Sequence, residues 1–80
     1  MILHIVEYGT YKLGESPIMN PIFISFDYDK ALKFLEKEIK WYTQNNNYEI
    51  KEDNYELEFI CCINISVYHY KLKKLELVKV

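Results

Sequence analysis

Eighty residues, half of them apolar, 28% charged and with a net charge of −2, fit a single globular domain, residues 1–80; its core is small, because a chain this short buries only roughly 60–65% of its unfolded surface. All ten cations are lysines, and without the bidentate arginine fork both nucleic-acid readout and tight phosphate binding are disfavoured. No apolar run approaches the ~20 residues of a membrane span, and the largely apolar start Met1–Val6 stops at Glu7 with no basic stretch before it, which predicts a cytoplasmic protein without a membrane anchor.

Ile2–Tyr8 reads as a strand that is apolar on both faces until Glu7, as in the middle of a sheet. Gly9–Pro21 holds both glycines and both prolines of the chain and reads as a long loop. Pro21–Phe26 has strand composition, with proline at the first position, where its missing N–H costs least. Asp27 is a helix N-cap, and Leu32, Leu35, Ile39 and Tyr42, flanked by Ala31 and Phe34, recur at helical spacing. The helix should close within Gln44–Asn47, because asparagine accepts the left-handed conformation.

Tyr48–Glu52 is a third strand, turning through Asp53–Asn54 into a long one. In Tyr55–His69 every odd position from Leu57 to Val67 is apolar, which predicts one buried face. The even positions, Glu56, Glu58, Ile60, Cys62, Asn64, Ser66 and Tyr68, are mixed and predict a contact surface. After Lys71 the alternation slips, so a bend near Lys73–Lys74 and a last strand at 75–79 are expected. The fold class is α+β: an antiparallel sheet of four to five strands with one amphipathic helix on one face, in the order ββαββ(β).

Catalytic signatures are missing. Ser16, Ser25 and Ser66 stand in no nucleophile motif, Gly9 and Gly14 form no phosphate loop, and His4 and His69 read as structural imidazoles within strands. Cys61 and Cys62 point to opposite faces of a strand, a poor geometry for chelation, and no histidine or second cysteine pair completes a metal set. No enzyme, no metal and no cofactor are therefore expected.

Ile5-Val-Glu-Tyr-Gly9, Ile22-Phe-Ile-Ser-Phe26, Lys30-Ala31 and Tyr48-Glu-Ile-Lys-Glu-Asp53 follow one another in an order that resembles a family of small uncharacterised bacterial and phage domains over roughly residues 2–57. Pro21 stands where that pattern has glycine, and the long C-terminal strand is extra. The resemblance implies a strand-strand-helix-strand-strand order and no activity.

Two surfaces stand out. Glu49, Glu52, Asp53, Glu56 and Glu58 gather around one hairpin against Lys51, either as a guard on a sheet edge or as a dock for a protein with a basic surface. Nine aromatic residues, Tyr8, Tyr11, Tyr28, Trp41, Tyr42, Tyr48, Tyr55, Tyr68 and Tyr70, exceed what so small a core needs. Since one helix covers one side of a sheet, Ile60, Cys62, Tyr68 and Tyr70, with His4, are expected to need a second cover, supplied by a homodimer. The size, the codon footprint of an AT-rich genome and the acidic hairpin predict a non-enzymatic protein-interaction module, a phage or mobile-element accessory protein that binds and inhibits a host defence protein. The alternative is a homodimer that binds or sequesters a nucleotide-like small molecule.

Overall fold

The computed structural model describes residues 1–78. Along the chain run β1 (Ile2–Lys12), β2 (Asn20–Ser25), α1 (Tyr28–Asn45), β3 (Tyr48–Asp53), β4 (Glu56–Ile63) and β5 (Ser66–Glu76). The strands form one five-stranded antiparallel sheet in the spatial order β2-β1-β5-β4-β3, and α1 packs over β2, β1 and β5. This is the α+β architecture expected from the periodicities.

Asp27 caps α1 as its chemistry requires, its carboxylate accepting from the Asp29 amide at 2.9 Å and the Lys30 amide at 3.4 Å. Ala31, Leu35 and Ile39, spaced one helical turn apart, are the buried stripe, and Leu32, Phe34 and Tyr42 flank it. The other end departs from expectation: Asn46 is extended, at φ −144°, rather than left-handed. One side chain and one backbone group close that end instead, with Asn45 Nδ2 donating to the Trp41 carbonyl at 2.8 Å and the Asn46 backbone N–H donating to the Tyr42 carbonyl at 3.0 Å.

The long strand expected at Tyr55–His69 is two strands. A two-residue turn at Asn64–Ile65 pairs Ile63 with Ser66, and Asn64 takes the left-handed conformation at φ 57° that such a turn needs. Residues facing each other across a ladder share a face, so the turn inverts parity: odd positions of β4 and even positions of β5 face the helix. Phe59 and Cys61 of β4 therefore join Tyr70 and Leu72 of β5, Val6 of β1 and the helical stripe in one core. Val67 and His69 go to the opposite, open face. Tyr68, expected on the contact face, packs against Tyr42 of the helix with ring centroids 5.1 Å apart.

Three further boundaries differ from the sequence reading. β1 continues past Tyr8 to Lys12 because Gly9–Lys12 pairs with Ser66–His69. β5 passes straight through Lys73–Lys74, which pair with Ile5 and His4, so there is no bend there, and the strand expected at 75–79 falls partly outside the described residues. The β3–β4 turn is Asn54–Tyr55, both at positive φ (47° and 64°), one residue beyond the turn expected.

The open face has a cover of its own. Gly9 points to that face, and a Cβ there would meet the Ile18 carbonyl oxygen at 2.6 Å and the Met19 sulfur at 2.7 Å. The β1–β2 connection thus returns across the sheet over Gly9, anchored where the Leu13 amide donates to the Ile65 carbonyl at 2.9 Å. Glycine in a strand normally costs about 0.5–1 kcal/mol against alanine; here close approach of backbone reverses the sign. Gly9→Ala should destabilise the protein by about 1–3 kcal/mol, read as a lower urea midpoint, because the loop must lift. An unchanged or raised midpoint would mean that the loop does not seat on the sheet.

Candidate functional site

Of the five acidic residues of the β3–β4 hairpin, two are used up inside the sheet. Glu58 Oε2 lies 3.1 Å from His69 Nε2 and 3.5 Å from Lys71 Nζ. Glu56 Oε2 accepts from the Lys74 amide at 3.3 Å. Glu49, Glu52 and Asp53 make no ion pair among the described residues and sit on β3, every residue of which is exposed. The register separates them: Glu49 and Asp53 flank Lys51 on the open face, whereas Glu52 follows Tyr48 and Ile50 on the helix side.

The residues assigned to a dimer interface are also divided. Ile60 and Cys62 are on the open face, but Tyr68 and Tyr70 face α1, and Tyr70 is only 6% exposed. Parity inversion at Asn64–Ile65 is the reason. Tyr8, Tyr42, Tyr68 and Tyr70 pack together beneath the C-terminal half of the helix, with Tyr8 and Tyr70 centroids 4.6 Å apart. Burial, with Tyr42 alongside, pushes the Tyr70 hydroxyl well above its ordinary range. Much of the aromatic excess is core rather than surface. His4 likewise faces the helix, edge-on to Tyr28 at 5.3 Å.

The sequence reading missed a relay across the open face. Tyr11 Oη is 3.1 Å from His69 Nδ1, and His69 Nε2 is 3.1 Å from Glu58. With the carboxylate accepting from Nε2–H, Nδ1 is left to accept the Tyr11 hydroxyl proton. Hydroxyl, imidazole and carboxylate stand in the order of a nucleophile, base and orienter. His69 is 5% exposed, and the trio ties β1, β5 and β4 together. Only the turn at Asn64–Ile65 could have revealed it, because its two-residue length sets the face of His69 and its position sets the register.

The two thiols differ as opposite-face neighbours must. Cys61 is buried, its Sγ 3.6 Å from the Asn47 carbonyl, and burial, with Cys62 next to it, raises its pKa. Cys62 is exposed and borders a cleft of ≈ 630 Å³ lined by Gln44, Asn45, Asn46, Asn47, Ile63 and Asn64. The cleft is rich in neutral amides. Among the described residues no helix is long and apolar enough to cross a membrane, and no three His, Cys, Asp or Glu side chains are grouped to hold a metal ion.

No protein-family model, curated protein or solved structure matches this chain, so the functional reading rests on the arrangement of its own residues.

Burial raises the Glu58 carboxyl, but its contacts with His69 and Lys71 outweigh that and hold it below its ordinary value of 4.5. Glu58 therefore contributes stability above that pH and loses it as pH falls through the lower folded value. Glu58→Gln should flatten the fall in urea midpoint just below pH 4.5; an unaltered acid limb would show that the carboxylate is not so held. Tyr11→Phe leaves the buried His69 Nδ1 without its hydrogen-bond partner and should lower stability by about 1–3 kcal/mol, read as a lower urea midpoint.

Proposed function

We propose that this chain is a small, non-enzymatic protein-binding module, and that its contact surface is the acidic and aromatic edge formed by β3. One observation carries the reading: β3 is exposed along its whole length, with Tyr48 and Ile50 at 45% and 44% exposure beside Glu49, Glu52 and Asp53. Tyr48 and Ile50 share one face of the edge with Glu52, and Glu49 and Asp53 lie on the other, a combination that suits a partner with apolar and basic groups, whose approach long-range attraction would speed. A host protein blocked by a phage or mobile-element product is a partner of that kind.

A second reading is a homodimer joined through the open face, with a nucleotide-like molecule bound at the junction. What favours it is the half of that face beyond the β1–β2 loop, where Ile24 and Leu75 are 54% and 49% exposed next to Ile5 and Leu3. Light scattering during chromatography separates the two: the dimer reading requires twice the mass of one chain, whereas the first reading stands on a monomer.

The first reading is tested with the triple variant Glu49→Lys, Glu52→Lys, Asp53→Lys. A partner captured on the wild-type protein, purified and titrated back, should lose at least about tenfold in affinity with the variant, and its wild-type affinity should fall with added salt. Equal affinities for the two proteins would remove β3 as the surface. These positions are exposed, so the fold should be unaffected.

A further inference from the structure

The sheet has two edges, and they are protected in different ways. β2 begins with Asn20-Pro21, and its register with β1 breaks between Val6 and Glu7, so that Ile22 is an extra residue. A proline without an N–H and a bulge that twists the ladder are obstacles to any strand, whatever its side chains. β3 has neither. It runs in unbroken register with β4 from Tyr48↔Cys61 to Asp53↔Glu56, and its outer backbone groups lie at the end of the sheet order with no strand beside them. Its protection is charge alone. The net negative charge of β3 disfavours pairing with a second β3, and the same charge attracts a basic strand.

We propose that β3 is a docking edge at which an extended segment of a partner protein adds as a sixth strand, with apolar and basic residues placed to match it. The proposal rests on the protein-binding reading above and specifies its mode. Main-chain hydrogen bonds to the open edge give affinity, and alternate side chains give specificity. On the helix side the incoming strand meets Tyr48, Ile50 and Glu52; on the open side it meets Glu49, Lys51 and Asp53. An antiparallel partner read from Asp53 back to Tyr48 therefore has the pattern basic, basic, neutral, apolar, basic, apolar. Reversing that order gives the parallel partner. Both carry their basic groups opposite carboxylates and an uncharged residue opposite Lys51, so specificity comes from pattern and not from charge alone.

The test uses the full chain and blocked synthetic peptides. Lys-Lys-Thr-Val-Lys-Val represents the antiparallel partner and Val-Lys-Val-Thr-Lys-Lys the parallel one. Two controls accompany whichever of them binds: the same composition scrambled so that alternation is lost, and the same sequence N-methylated at alternate positions, in each of the two phases. Fluorescence anisotropy gives affinity, and hydrogen exchange of the β3 amides gives the site. One patterned peptide should bind at least about tenfold more tightly than its scramble and than one of its N-methylated forms, the loss expected when a few backbone bonds are removed. Binding should also slow exchange of every second amide between Tyr48 and Asp53. If the scrambled and N-methylated peptides bind as well as the patterned one, strand addition is overturned, while the acidic surface remains a basic-partner dock. If no patterned peptide binds, strand addition is also overturned, and the charge-reversal experiment with the purified partner decides the surface reading separately.

Discussion

A turn of two residues leaves no freedom over which side chains face the same way. Once Ile63 is opposite Ser66, the alternation of β4 is carried into β5 with its phase reversed. That constraint puts Phe59, Cys61, Tyr70 and Leu72 beneath a single helix, and it puts Val67 and His69 on the other side. Lengthening the turn by one residue would exchange the two β5 sets, turning Tyr70 and Leu72 away from the helix and Val67 and His69 towards it. The rest of the molecule is arranged around this phase choice.

One helix is a thin cover for five strands, and the chain makes up the difference in two ways. On the helix side, tyrosines extend the core beyond the reach of aliphatic side chains: Tyr42 touches Phe59, Tyr68 and Tyr70, and Tyr8 touches Tyr70. Large rings fill volume with few rotatable bonds, which suits a small domain. On the open side the β1–β2 loop lies over Gly9, and polar contacts hold what it does not cover: Tyr11–His69–Glu58 at one position and Lys73–Glu7, at 3.1 Å, at another. The uncovered surface that a dimer was expected to hide is thus partly occupied by the chain itself.

The helix was legible because its signals are local: an N-cap at Asp27 and an apolar stripe within three turns. The first three strands were legible for the same reason. The β4–β5 turn was not, because Ile65 continues the apolar alternation from Leu57 to Val67 and the run has neither glycine nor proline to mark a turn. Everything that depends on that turn was lost with it, including the faces of Tyr68 and Tyr70 and the meeting of Tyr11, His69 and Glu58. The acidic hairpin was recognised as a group, but a list of charges along a strand does not say which are already paired. Glu56 and Glu58 are tied to β5, and the difference between them and Glu49, Glu52 and Asp53 exists only in three dimensions.

The central ladder joins β1 to β5, the strands farthest apart in sequence, through eleven paired positions from Ile2↔Glu76 to Lys12↔Ser66. During synthesis, β1, β2 and α1 emerge long before β5, and β3 and β4 can form a hairpin before it exists. Neither half can join the other until β5 is inserted between β1 and β4. Folding is then limited by closure of the longest loop in the chain, which is entropically costly and slow compared with forming a hairpin or a helix. Until β5 pairs, β1 has one edge open to other strands.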